Sequence, residues 1–248
     1  MIESKDNKLY KQAKSLLSRS GRVKEGLFLA EGQRLANDAI LSGCVSHLLL
    51  SEEYDGEVPA AVPAHILSEK LFSAITETTT PQGIIAVCRT RFQDSGLAND
   101  TSFVLICDKI TDPGNMGSIL RTAEAAGVDA VVLSEECVDL YNSKAVRGTM
   151  GAIFRLTTIQ VDRPAAHFKA HGFRIIASRL EESQDLYAAD FTGKIAIVVG
   201  NEANGVSADT ISAADGFVKI PMSGAAESLS VASAAAILLY EARRQRHG

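Results

Sequence analysis

The 248-residue chain lacks several things that would direct a reading of its function. Its longest apolar runs, such as Ala234–Tyr240, fall well short of the ~20 residues a membrane span needs. It opens on MIESKDNKLYKQAK, which is polar from the start, so no secretory leader and a cytoplasmic setting are expected. Cysteine is scarce. Cys44, Cys88, Cys107 and Cys137 are scattered, form no C-x-x-C pair, and each lies in or beside an apolar stretch. That pattern points to buried reduced thiols and away from a zinc site or a disulfide framework. Neither nucleotide fingerprint is intact. No loop reads G-x-G-x-x-G, and after Gly200–Gly205 the chain continues Val206-Ser207 where a P-loop needs Lys-Ser/Thr. His167 and His171, four apart on an expected helix, have no third ligand nearby and no H-E-x-x-H pattern, so a surface helix and no metal are expected. Internal repeats and low-complexity tracts are absent as well.

What is present is an ordinary globular composition, 46% hydrophobic and 22% charged. The 25 basic and 30 acidic residues give a net charge of −5, which taken alone argues against a nucleic-acid partner. The distribution argues otherwise. Residues 1–34 carry eight basic and four acidic side chains, a local +4, and the remaining 214 residues hold −9. Arg243, Arg244 and Arg246 form a second basic cluster, which also suits a helix C-terminus. Global charge is therefore a poor guide to the surface.

Leu9, Ala13, Leu16 and Leu17 fall at i, i+4, i+7 and i+8, the spacing of an amphipathic helix. A strand at Leu27–Ala30, a helix at Gln33–Leu41, a strand at Val45–Leu50, a helix near Glu69–Ala74 and a strand at Ile84–Cys88 follow. This makes a small α/β unit over residues 1–92, and the polar stretch 93–100 reads as a linker. Over residues 101–248 strands alternate with helices. Strands are expected at Phe103–Cys107, Ala130–Leu133, Arg155–Ile159, Arg174–Ser178, Ile195–Val199 and Gly216–Ile220. Helices are expected at Met116–Ala126, Ser143–Met150, Pro164–His171, Ala208–Ala213 and Glu227–Arg246. Apolar strands interleaved with helices predict an α/β fold, a mostly parallel sheet with helices on both faces. Ligands of such sheets bind beyond the carboxyl ends of the strands, so the loops after Cys107, Val199 and Ile220 are the places to search.

Those loops carry unusual residues. In Asp112–Gly127, Pro113-Gly114 makes a turn, Asn115 is placed to cap the next helix, and Arg121 follows six residues later. Each also has a purely structural reading, as cap and exposed cation. In Gly200–Gly205, a glycine-bracketed loop after a strand, Glu202 is either a turn acid or a polar site group. In Ile220–Arg246, Ser228 and Ser230 sit at the start of a small-residue helix, where a hydroxyl cluster commonly serves as a cap.

Together, in this order and spacing, the three loops resemble the SpoU/TrmH family of RNA methyltransferases, within the SPOUT superfamily. The likeness covers about Phe103 to Glu241 and rests on Asn115…Arg121-Thr122-Ala123, Gly200-Asn201-Glu202…Gly205 and Ile220-Pro221-Met222…Ser228-Leu229. The stretch Lys144–Leu156, KAVRGTMGAIFRL, is also similar. FLAEGQRLANDAI (Phe28–Ile40) and TTTPQGIIAV (Thr78–Val87) resemble the RNA substrate-binding domain often attached to this family, itself similar to RNA-holding ribosomal proteins. The resemblance implies a C-terminal trefoil knot, an exception to un-knotted topology. It also implies S-adenosylmethionine as cofactor, a homodimer formed through the knotted domain, and methylation of a ribose 2′-hydroxyl in structured RNA, rRNA favoured over tRNA. By position it assigns Gly200, Ile220 and Leu229 to the cofactor and Asn115, Arg121, Glu202, Ser228 and Ser230 to the active site. Ser230 stands where the family usually has Asn, losing the amide's reach and its NH₂. The competing expectation is an RNA-binding protein with a degenerate, non-catalytic domain. A salt-sensitive RNA contact led by the N-terminal domain is expected, and deleting residues 1–92 is expected to spare cofactor binding and dimerisation.

Overall fold

The computed structural model describes residues 1–92, 100–225 and 228–247. The linker expected at 93–100 lies almost wholly outside them, as does the expected helix start at Glu227. In chain order the first elements are α1 (Lys8–Ser15), α2 (Arg19–Glu25), β1 (Leu27–Glu31), α3 (Gln33–Leu41), β2 (Val45–Leu50), β3 (Ala64–Ile66), α4 (Glu69–Ser73) and β4 (Ile84–Arg89). There follow β5 (Phe103–Asp108), α5 (Pro113–Ala126), β6 (Ala130–Leu133), α6 (Ser143–Gly148), β7 (Thr157–Gln160), α7 (Pro164–Ala170) and β8 (Arg174–Ser178). The chain closes with β9 (Gln184–Asp185), β10 (Ile195–Gly200), α8 (Ala208–Ala213), β11 (Gly216–Lys219) and α9 (Val231–His247).

These elements form two compact units. The first holds Met1–Arg91 together with Asp139–Arg155, and the second Phe92–Val138 with Leu156–Gly248. The grouping departs from the boundaries read from sequence, which left 139–155 with the C-terminal domain. The physical reason lies in side chains of that segment. Asp139 pairs with the buried Arg22 at 2.6 Å. The Tyr141 ring lies 4.6 Å and the Phe154 ring 6.1 Å from Phe28, all three buried. Ser143 on α6 donates to the Glu77 carboxylate. Removing residues 1–92 would strip these partners away, so that truncation does not leave an intact remainder.

The first unit is built on the sheet β1-β4-β2-β3, antiparallel except for the β2–β3 pair. One face packs Leu29, Leu49, Ile85 and Val87 against Tyr10, Ala13 and Leu16 from the α1 stretch and Leu67, Leu71 and Phe72 at α4. The single helix predicted at the N-terminus is two, because Ser18 caps a fresh start by accepting from Gly21 N–H. A Cβ at Gly21 would lie 2.0 Å from the Ser15 carbonyl oxygen, so the corner needs glycine.

The second unit is a seven-stranded parallel sheet in the order β7-β6-β5-β10-β8-β11-β9. All six residues of β5 are buried, and Phe103–Cys107 form an unbroken apolar run because both faces are covered. Val104, Ile106, Val132, Ile175 and Val198 share a core with Phe168 of α7. On neighbouring elements α9 packs against α5 and β10. The four cysteines are free and buried. Burial pushes the Cys88, Cys107 and Cys137 thiols up, and a hydrogen bond with Cys88 brings Cys44 down to about 6. Among the described residues no helix is long and apolar enough to cross a membrane.

Candidate active site

The central strands β10, β8 and β11 end side by side, and their carboxyl-terminal loops enclose a cleft of about 520 Å³. One wall is Gly200–Val206 after β10. A second is Lys219, Ile220 and Met222 after β11, continued by Ser228, Leu229, Val231 and Ala234. The third is Ser178–Glu181 after β8, which local sequence pattern did not single out. Only the strand order brings β8 between β10 and β11, and nothing in a single strand's composition announces its neighbours. Arg179 holds this third wall. Its guanidinium lies 5.4 Å from the Phe217 ring centroid and pairs with Glu181 at 3.3 Å and Glu182 at 3.8 Å.

Gly200, Ile220, Leu229, Glu202 and Ser228 therefore meet around one cleft, although they come from two loops about twenty residues apart. The turn at Gly200 is tight: an added Cβ would stand 2.3 Å from the Gly205 carbonyl carbon. Backbone groups of Asn201 and Gly205 close the loop reciprocally at 2.8–2.9 Å. The apolar lining from Val206, Ile220, Met222 and Leu229, broken by exposed backbone and a few polar side chains, suits a ligand with both apolar and polar parts.

Asn115 comes from the first turn of α5, which follows the neighbouring strand β5. It does not cap its helix, as the sequence led us to expect. Asp112 does, accepting from Asn115 N–H at 2.7 Å, because Pro113 occupies the first helical position and shifts the cap one residue before it. Freed from capping, the Asn115 side chain donates Nδ2 to Glu202 Oε1 at 2.6 Å. Arg121 is exposed, lies outside the cleft lining, and has no partner among the described residues. At about 100° per residue, six positions along α5 turn it roughly 120° away from Asn115. Ser230 also lies outside the lining. Its Oγ accepts from Ser233 N–H at 3.2 Å and its carbonyl from Ala234 N–H at 2.9 Å, the pattern of an N-cap for α9.

Beneath the Asn115–Glu202 contact the two loops are tied further. The buried Asp108 carboxylate accepts from Ser207 N–H and Thr210 Oγ1, each at 2.7 Å. Lys109, in the left-handed region at φ 59°, donates its N–H to Ser134 Oγ at 2.9 Å and pairs through Nζ with Glu136 at 2.8 Å. That contact raises the ammonium of Lys109 and lowers the carboxyl of Glu136, both through the hydrogen bond they share. Among the described residues no three potential metal ligands converge.

Comparison with known proteins gives the same picture from another direction. Residues 102–240 match the family model described as the SpoU rRNA Methylase family, and residues 7–86 match the MRM3-like substrate binding domain. The chain is 37% identical to the 23S rRNA (guanosine(2553)-2'-O)-methyltransferase RlmP of Bacillus subtilis, over 98% of both chains. Among solved structures it is similar to the AdoMet-bound rRNA methyltransferase from Sinorhizobium meliloti, with a TM-score of 0.86 and 26% identity over 98% of this chain and 97% of that one. It is also similar to the SpoU methyltransferase AviRb from Streptomyces viridochromogenes in complex with AdoMet. There the TM-score is 0.84 and the identity 28%, over 96% and 98% of the two chains.

Proposed function

Because the chain belongs to the SpoU rRNA methylase family, we propose that it transfers a methyl group from S-adenosylmethionine to a ribose 2′-hydroxyl of structured ribosomal RNA. The observation that carries this reading is the Asn115–Glu202 hydrogen bond at the mouth of the cleft behind β8, β10 and β11. It sets a polar, solvent-facing pair beside a cavity with room for a nucleoside-sized cofactor. When bound, S-adenosylmethionine supplies an electrophilic methyl on a sulfonium. Gly200, Ile220 and Leu229 are suited to hold it, through close backbone approach at the glycine and apolar contact at the other two.

The remaining work falls to the chain. Displacement at a methyl carbon is in line, and the attacking oxygen must come to ~3–3.5 Å, so positioning contributes much of the rate. Asn115 and Glu202 orient the ribose, and Ser228, on the cleft lining, orients substrate or cofactor. Arg121 cannot act as a base, since a guanidinium stays protonated. Its role is to fork onto the adjacent phosphate and stabilise charge developing on the 2′-oxygen. The proton leaves toward solvent, on which the pair opens. Ser230 enters this scheme as the cap that fixes the start of α9 just after Ser228 and Leu229. Arg121 faces away from its own Asn115, which supports a homodimer in which two copies complete each other's sites. The trefoil knot and a cytoplasmic setting belong to the same proposal. RNA is held by the first unit. Residues 1–34 carry a local excess of four and residues 139–155 add Lys144, Arg147 and Arg155 against Asp139, whereas residues 1–92 as a whole carry eleven basic and eleven acidic side chains. That favours a localised contact through α1 and α2.

Mapping ribose methylations in total RNA from cells with and without this protein tests the reading. Loss of a single 2′-O-methyl mark names the substrate and position. An unchanged methylation map, together with no heat on titrating the protein with S-adenosylmethionine, would sink it.

A further inference from the structure

Asn201 sits between two residues assigned to the site, yet its side chain has nothing left to offer a ligand. Its Oδ1 accepts from Ala203 N–H at 2.9 Å and from Asn204 N–H at 3.2 Å. Its Nδ2 donates to the Lys109 carbonyl at 2.9 Å and lies 3.5 Å from Thr111 Oγ1. The amide cannot be flipped without setting a carbonyl oxygen against Lys109 O and an NH₂ against two N–H groups, so its orientation is fixed by its neighbours. The backbone is committed too, through the two bonds to Gly205.

The consequence is mechanical. The Nδ2 bond ties the β10 loop to the segment between β5 and α5, three to six residues before Asn115. The Asn115–Glu202 contact spans the same two loops. Both members of that pair ride on backbone that Asn201 holds: Glu202 follows it directly, and Asn115 is the third residue of α5, four after Thr111. Without the tether, Asp108 still anchors the far end of the β10 loop through Ser207 and Thr210. The loop would remain folded while its tip drifted.

We propose that Asn201 is a positioning residue: although it lines the cleft, its side-chain amide is spent on internal partners and acts by setting the Glu202 carboxylate against Asn115. This rests on the methyltransferase reading for its kinetic effect but not for its geometry. Asn201→Asp is the discriminating change. It keeps the acceptor for Ala203 and Asn204 and replaces the donor with an oxygen facing the Lys109 carbonyl. A displacement of about 1 Å at a reacting group can cost on the order of 100-fold. The expected result is a 10- to 100-fold fall in kcat, with the dissociation constant for S-adenosylmethionine, measured by calorimetry on the full chain, changed less than threefold. In a Glu202→Gln background the same change should add little, because the residue it acts through is already gone. A full additional loss in that background overturns the proposal, as does a tenfold weaker cofactor affinity with unchanged kcat, or a wild-type rate.

A second readout does not depend on activity. In ¹⁵N-labelled free protein, the Asn115 side-chain amide protons should exchange slowly with solvent, and Asn201→Asp should accelerate them. Unchanged exchange overturns the proposal even in an active enzyme. A wild-type chain that neither binds S-adenosylmethionine nor methylates RNA, yet shows the accelerated exchange in the variant, removes the methyltransferase reading and leaves the positioning role standing.

Discussion

Asp139→Ala should destabilise the first unit by about 3–5 kcal/mol, the range for breaking a buried pair and leaving one charge unpaired. The magnitude follows from the surroundings of Arg22. Its side chain is 8% exposed and that of Asp139 15%. Nη2 and Nε reach the same carboxylate oxygen at 2.6 and 2.7 Å, and Nη1 donates to the Leu16 carbonyl at 2.7 Å. Removing the carboxylate strands two guanidinium nitrogens away from water. It also frees Tyr141 N–H, which donates to the other carboxylate oxygen at 3.0 Å. An exposed pair such as Lys11–Asp6, 60% and 90% exposed, belongs to the class worth at most about 1 kcal/mol. Urea unfolding followed by far-UV circular dichroism suits a chain with no tryptophan. The paired replacement Arg22→Met with Asp139→Leu removes both charges at similar volume and should come within about 1 kcal/mol of wild type. Loss of less than about 1 kcal/mol in Asp139→Ala, or a paired variant as unstable as the single one, would refute the claim that this ion pair fastens residues 139–155 to the first unit.

Three further expectations are sharper than general disruption. Arg121→Lys keeps the charge but loses the planar fork, so methylation should fall by about 100-fold while cofactor affinity, read by calorimetry, stays put; a wild-type rate would exclude a bidentate role. Ser230→Ala should cost about 1 kcal/mol by removing the α9 cap, whereas Ser230→Asn, also a good cap, should melt near wild type, and any gain in its methylation rate would measure what the missing amide contributes. His47 is buried, its Nε2 has no partner among the described residues, and burial, followed by the charge of His65, depresses its pKa below 6.5. The unfolded chain takes up a proton near 6.5 that the folded chain refuses, so stability is complete above that pH and falls as pH drops toward the depressed value. His47→Leu should flatten that slope in thermal melts between pH 7 and 5; an unaltered slope would assign it elsewhere.

The inner strands of the second unit were legible because burial on both faces writes an apolar run into them, as in Phe103–Cys107 and Ile195–Val199. Short edge elements carry no such run. The three residues of β3 alternate in exposure and the two of β9 are exposed, so neither stood out from loop. The loops after β5, β10 and β11 were legible from their glycines and polar residues, but the β8 wall was not, since strand order is a property of the closed sheet. The cap reading of Asn115 rested on the preference of Asn for that position. Pro113 decides otherwise and leaves the side chain to the active-site reading, in which its partner Glu202 lies 87 residues away, beyond any local pattern. The membership of Asp139–Arg155 depends on partners such as Arg22 and Glu77, 117 and 66 residues earlier, which local pattern cannot contain.

The register of the parallel sheet also sets a timetable. β5 pairs with β6, made about twenty residues later, but its other neighbour β10 is made about ninety residues later, Val104 lying opposite Ala196. During synthesis one edge of this wholly buried strand waits unpaired while β6, β7, β8 and β9 are produced. Non-local parallel pairing of this kind is slow and exposes sticky edges meanwhile. The cleft between the β8, β10 and β11 loops is therefore among the last features to exist. A ribosome stalled after residue 190 would hold a chain with its four-stranded sheet already paired and no cofactor cleft at all.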